Sequence, residues 1–78
     1  MSLLDEIIGW YGTFAIVLSY ALVSFNFLSS STILYQTLNF TGAAGIVYIS
    51  LKKKAYQPGV LNIIWAVIAL IAIIKLLI

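Results

Sequence analysis

Charge is confined to six residues of this chain, and long apolar stretches without any charge lie between them. The charges are the pair Asp5-Glu6, a run of three lysines at 52–54, and Lys75. An α-helix rises 1.5 Å per residue, so about 20 apolar residues cross the hydrocarbon core of a bilayer. The sequence offers three stretches of about that length: Ile7 to Leu28, Thr32 to Leu51 and Pro58 to Ile74.

The composition argues against a soluble or disordered protein. Of the 78 residues, 64% are hydrophobic and 8% are charged, whereas soluble domains are about 45–50% apolar and about 25% charged. A domain this small cannot hide so much apolar surface from water, and disorder requires low hydrophobicity. The chain has no histidine and no cysteine, so thiolate and imidazole chemistry are absent. We expect no enzyme activity, no metal and no cofactor.

These stretches predict an all-α membrane protein, a single domain over residues 1–78 with three transmembrane helices at about 7–28, 32–51 and 58–77. The connecting loops are short, so consecutive helices are expected to be antiparallel neighbours within a larger helical bundle. Pro58 suits the first turn of the third helix, where its missing N–H has no cost. A cleaved signal peptide is disfavoured because acidic residues, not basic ones, precede the first stretch.

The lysine run indicates the orientation in the membrane. Basic residues in short loops stay on the cytoplasmic side, so we expect a cytoplasmic N-terminus and a C-terminus outside. The topology residues are Lys52, Lys53 and Lys54. The pI of about 9.1 does not predict nucleic-acid binding, because a nucleic-acid interface spreads basic side chains over a face beside stacking aromatics.

Small residues predict where the helices pack together. In membranes, helix interfaces are enriched in small residues because they let the backbones approach closely. On the first helix, Ser19 and Asn26 are predicted to lie on the same side as Gly12 and Ala15. The predicted packing residues are Gly12, Ala15, Gly42, Gly45, Ala66, Ala69 and Ala72.

The second stretch is polar on two sides, which favours a homo-oligomer. One stripe consists of Thr32, Tyr35, Asn39 and Gly42, and a nearly opposite one of Thr37, Thr41, Ala44 and Tyr48. A helix without a lipid-facing side needs protein on both sides, which is more than two slender neighbours supply.

Asn39 lies near the middle of the bilayer by residue counting and therefore needs a hydrogen-bond partner. Ser19 lies at the same depth and Tyr20 is adjacent to it. We expect Asn39 to bond one of these two or Asn39 of a second copy. Asn62 lies nearer the cytoplasmic side and is not expected to pair with Asn39.

The second stretch also carries a motif. It reads Tyr35-Gln36-x-x-Asn39-x-x-Gly42, is preceded by Gly9-Trp10-x-Gly12, and is followed by Asn62-x-x-Trp65. In this it resembles a family of small bacterial membrane proteins of unknown function. The resemblance covers nearly the whole chain and implies a three-helix protein of the bacterial inner membrane, with no activity attached.

A second resemblance, to SemiSWEET-type half-transporters, is one of length and architecture only. The proline-glutamine motif of those transporters has no counterpart in the first helix of this chain.

Two functions follow as hypotheses. The first is a structural or accessory membrane protein that contacts the lipid bilayer and either self-associates or packs against a larger complex. The alternative is a dimeric half-transporter or channel for a small neutral solute. Its lining would be Tyr20, Tyr35, Gln36, Asn39, Asn62 and Trp65, with Ser19 beside them in a candidate polar intramembrane site.

Overall fold

The computed structural model describes residues 2–78, and every element in that range is an α-helix. The helices are α1 (Leu3–Ser24), α2 (Ile33–Lys52) and α3 (Tyr56–Leu77), so the prediction of an all-α fold with three helices is confirmed. Helices α1 and α3 are long and apolar enough to cross a membrane. Helix α2 is not apolar enough, because amides, hydroxyls and glycines replace aliphatic side chains along it.

The first helix is shorter at its C-terminal end than predicted, because the apolar stretch continues to Leu28 but the helix does not. Its last residue is Ser24, and Asn26 adopts a left-handed backbone with φ of 63°. The Phe27 amide then bonds the Leu22 carbonyl at 2.9 Å, which is the pattern of a Schellman cap. Asn26, predicted to lie on the packing face of the first helix, therefore lies beyond its end. The lysine loop ends α2 in the same way, with Lys54 at φ of 58°.

Helix α2 lies between the other two helices. It packs against α1 on one side and α3 on another, while no Cα of α1 comes within 8 Å of a Cα of α3. The described part of the chain measures 36 × 23 × 19 Å. Because α1 and α3 meet only through α2, a groove remains between them along one side of α2.

Glycines bring α1 and α2 into backbone contact. A Cβ atom added at Gly12 would lie 2.7 Å from the carbonyl oxygen of Gly42, and one added at Gly45 would lie 3.0 Å from the carbonyl oxygen of Ile8. Ala15 is buried in the same interface. No side chain fits between the two backbones at these points, so the separation of α1 and α2 depends on these glycines.

Alanines line the contact between α2 and α3. Ala43 and Ala69 are almost completely buried, and a Cβ added at Gly59 would touch the Ser50 side chain at 3.4 Å. Two other predicted packing residues of α3 are half-buried: Ala66 and Ala72. Three alanines are the only buried hydrophobic residues among those described, so nearly all large apolar side chains face outward.

Candidate functional site

Asn39 bonds the neighbouring helix within the same chain. Its side chain is buried in the middle of α2, and its Oδ1 accepts a hydrogen bond from Trp65 Nε1 on α3 at 3.2 Å. Neither Ser19 nor Tyr20, the two expected partners within the chain, bonds it, and a bond to Asn39 of a second copy stays an expectation. The reason is the direction of the side chain, since Asn39 reaches α3 whereas the expected partners in this chain belong to α1.

The other amides and the buried serine bond their own chain locally. The Ser19 hydroxyl donates to the Ile16 carbonyl at 2.9 Å. The Asn62 amide donates to the Pro58 carbonyl, also at 2.9 Å, one turn earlier in α3. Asn62 is therefore not bonded to Asn39. The Ser19 and Asn62 side chains thus each have a hydrogen-bond partner within their own helix.

The remaining candidate residues do not join this site. Gln36 Nε2 donates to the Ser30 carbonyl at 2.8 Å and so closes the loop between α1 and α2. Tyr20 is 70% exposed, and Tyr35 is half-buried. Of the seven predicted polar residues, the structure joins only Asn39 and Trp65 by a hydrogen bond.

The second polar stripe of α2 is partly occupied by α1. The Thr41 and Tyr11 hydroxyls are 2.7 Å apart, and the Tyr48 hydroxyl donates to Asp5 at 2.6 Å. Part of this stripe therefore has partners within the chain, and the homo-oligomer inferred from the two stripes stays a prediction. Three of its members remain exposed: Thr37, Ala44 and the Tyr48 side chain, which is 38% exposed.

A charged cluster, missed by the sequence analysis, joins the start of α1 to the end of α2. The Asp5 carboxylate is buried and receives bonds from the Tyr48 hydroxyl and from Lys52 Nζ, the latter at 3.0 and 3.2 Å. Lys52 Nζ also lies 5.1 Å from the centre of the Tyr48 ring. Lys52, predicted as a topology residue, thus also forms an ion pair with Asp5 within the fold.

Two sequence signals point to this cluster in retrospect. Ser2 and Asp5 form a capping box, in which each side chain bonds the other residue's backbone amide. Tyr48 and Lys52 are four residues apart and so share one face of α2. No sequence signal links the two helices, because the pairing depends on how α1 and α2 align.

One long groove runs along the molecule from the loop that carries the lysines. Its charged end is a cavity of about 370 Å³ between α1 and α2, lined by residues that include Glu6, Gly9, Trp10, Thr13, Ile46 and Lys53. A second cavity of about 370 Å³ between α1 and α3 shares Thr13 and Ile46 with the first, and adds Ile16, Val17, Leu61, Asn62 and Trp65. We call the two together the long groove. Within residues 2–78, no three His, Cys, Asp or Glu side chains are grouped to hold a metal ion.

The fold defines a small three-helix protein with two helices apolar enough for a membrane. A family model matches residues 5–78, and the chain belongs to that family, which is uncharacterised. No curated protein and no solved structure matches the chain. Membership of an uncharacterised family is thus shown. That this is the family of small bacterial membrane proteins, the motif pattern, and the likeness to SemiSWEET-type half-transporters stay expectations.

Proposed function

We propose that the chain is an integral protein of the bacterial cytoplasmic membrane with a structural or accessory role, and that it self-associates there. The proposal has three parts: insertion of all three helices, a helix-packing use of the polar residues, and an outer face that contacts a second copy. Each part is supported by a separate observation.

The exposed apolar surface supports membrane insertion. Large side chains along α1, such as Trp10, Phe14 and Val17, are 61% to 71% exposed, and α3 carries a similar set. Soluble monomers rarely expose contiguous apolar patches larger than a few hundred Å². In a bilayer the same side chains face lipid, so the small core is no disadvantage.

Helix α2 is proposed to cross the membrane despite its lower apolarity. It connects α1 to α3 and lies antiparallel between them, so it must cross if they do. Its polar or backbone-exposing positions at Asn39, Gly42 and Ser50 are buried against the two neighbours. Lipid therefore does not meet these groups, which removes most of the cost of placing such a helix in hydrocarbon.

The observation that carries the structural role is that Asn39 is bonded to Trp65 inside the chain. In a half-transporter this amide would face the solute path. Here it connects two helices, and Ser19 and Asn62 are likewise bonded to their own backbone. These groups have the role of polar contacts between or along helices.

A shallow cavity on the other side of α2 supports self-association. It measures about 280 Å³, lies between α2 and α3, and has the small residues Ala44 and Ala66 in its lining. We call it the outer depression. Small residues bordered by large apolar ones accept the ridge of a neighbouring helix, so a second copy is the proposed occupant.

The test is reconstitution into liposomes, with the oligomeric state measured by single-molecule photobleaching and solute entry measured by liposome swelling in small neutral sugars and polyols. We expect dimers or higher oligomers whose liposomes swell no faster than empty ones. Faster swelling that Asn39→Leu abolishes, in a protein that still assembles, would establish the half-transporter instead. A wild type that is monomeric at all protein-to-lipid ratios would exclude self-association.

A further inference from the structure

The charged end of the long groove presents one acid and one base that have no partner within residues 2–78. The side chains of Glu6 and Lys53 both line this cavity, both are exposed, and neither is hydrogen-bonded or ion-paired there. Their neighbours in sequence differ, because Asp5 and Lys52 bond each other. The groove thus opens with one available negative charge and one available positive charge.

Beyond this end the groove becomes apolar. Its lining there consists mainly of Ile16, Val17, Ile46 and Leu61, with little polar surface. From Glu6 to Val17 is eleven residues, or about 16 Å along the helix. That is roughly half of a hydrocarbon core about 30 Å thick, so the groove has about the length of one leaflet.

On the proposed membrane location, we propose that the long groove binds a zwitterionic phospholipid of the cytoplasmic leaflet. The phosphate would accept hydrogen bonds from the Lys53 ammonium, and the head-group ammonium would donate to the Glu6 carboxylate. One acyl chain would follow the apolar part of the groove past Thr13 toward Trp65. Trp10 lines the charged end, where aromatic side chains commonly meet the head-group region.

The charge pattern selects this occupant over two others. An anionic lipid would use Lys53 but leave Glu6 facing a phosphate without a cation. A transmembrane helix of a second copy is uncharged over residues 7–51 and 55–74, so it would leave both Glu6 and Lys53 without a partner. A head group carrying both charges, followed by an acyl chain in the apolar part of the groove, fits the charge pattern.

The two tryptophans of the chain provide the probe. Both Trp10 and Trp65 line the long groove, so lipids brominated on the acyl chain quench their fluorescence on contact. The protein is reconstituted into equimolar phosphatidylethanolamine and phosphatidylglycerol, with only one of the two brominated at a time. We expect brominated phosphatidylethanolamine to quench more strongly than brominated phosphatidylglycerol.

Three substitutions test the site within that measurement. Glu6→Gln and Lys53→Gln should each lower the preference for phosphatidylethanolamine about two- to five-fold, as expected for exposed charge pairs. Lys54→Gln is the matched control, because it removes the same charge from the same loop at a residue outside the groove lining, and it should leave the preference unchanged.

Other outcomes would overturn the proposal in recognisable ways. Equal quenching by both lipids, or stronger quenching by phosphatidylglycerol, would exclude a zwitterionic site. The variant Trp10→Phe leaves Trp65 as the single tryptophan. If neither brominated lipid quenched its emission, the groove would be occupied by a protein segment and not by a lipid. Vesicle flotation after an alkaline carbonate wash separates these results from failure of the proposed membrane location, in which the protein would not float with the lipid.

Discussion

Asp5 is a charged residue that is buried because two residues of α2 bond its carboxylate. Carboxylates are almost never fully buried unless they are paired, and burying a charge without partners is costly. The antiparallel alignment of α1 and α2 brings Tyr48 and Lys52 to it, and the capping box with Ser2 fixes its backbone. Residue type and position alone did not predict this burial.

Removal of the bonds to Asp5 is expected to destabilise the fold. Tyr48→Phe removes the hydroxyl donor while keeping the ring, and Asp5→Asn removes the negative charge opposite Lys52. Both should lower the thermal unfolding temperature in detergent, because each leaves a buried polar group with fewer partners. Glu6→Gln is the matched control and should have a smaller effect, since Glu6 has no such bonds in the described structure and its charge interacts only with the start of α1. Unchanged unfolding temperatures for both variants would contradict a stabilising role.

The bond between Asn39 and Trp65 is expected to appear as an energetic coupling. In a double-mutant cycle of Asn39→Leu and Trp65→Phe, we expect a coupling of about 0.6–2 kcal/mol in the free energy of unfolding, the range for interhelical hydrogen bonds in membranes. The cycle of Asn39→Leu with Tyr48→Phe is the control. It should be additive, because Tyr48 bonds Asp5 and lies nine residues, about 13 Å, further along α2. Additivity in both cycles would show that the 3.2 Å contact contributes nothing.

At the scale of the helices, the length and periodicity of the apolar stretches predicted the number and order of the helices. Three helices form in the predicted order, with Pro58 in the first turn of α3. The end of α1 was missed because a left-handed Asn26 stops the helix inside a stretch that stays apolar through Leu28. The faces of α2 could be listed from the sequence, but helical phase does not tell which neighbour covers which face.

Two substitutions to leucine on α2 should have different consequences. Gly42 lies against α1, where an added Cβ would be 3.0 Å from an Ile16 side chain and 3.1 Å from the Gly12 carbonyl oxygen. Gly42→Leu should therefore unfold or loosen the single chain. Ala44 is exposed in the outer depression, so Ala44→Leu should leave the chain folded and shift it toward monomer.

Unfolding temperature and photobleaching steps in bilayers distinguish these two effects. Ala21→Leu makes the same change as Ala44→Leu, but at a half-buried position of α1 outside the outer depression, and should leave the number of photobleaching steps unchanged. Oligomers that persist in Ala44→Leu would place the contact with a second copy elsewhere.

For the whole molecule, the sequence predicted the class of fold better than the site. Hydropathy is a sum over many residues, so α1 and α3 are recognisable without any knowledge of contacts. The candidate site was chosen by polarity alone, and polarity does not reveal whether Gln36 bonds a loop carbonyl or Asn39 a tryptophan. The long groove was missed for the same reason, since it depends on α1 and α3 standing apart on one side of α2.

The orientation of the whole chain is the last prediction, and the structure changes which charges are expected to set it. Lys52 is paired with Asp5, whereas Lys53 and Lys54 are exposed at the loop. Acidic residues contribute little to topology, so the lysine loop should stay cytoplasmic.

The chain has no cysteine, so single cysteines at Ser30 and Lys53 report the two loops directly. On intact cells an impermeant thiol reagent should label the Ser30 position and not the Lys53 position. Replacing all three lysines of the run by glutamine, with the cysteine then at Ala55, should produce a mixture labelled at both loops, because the retention signal is gone. If only the Lys53 position were labelled in the chain that keeps its other lysines, the true orientation would be the reverse of the predicted one. This reversal would also move the charged end of the long groove to the outer leaflet, where the same lipid test would have to be repeated.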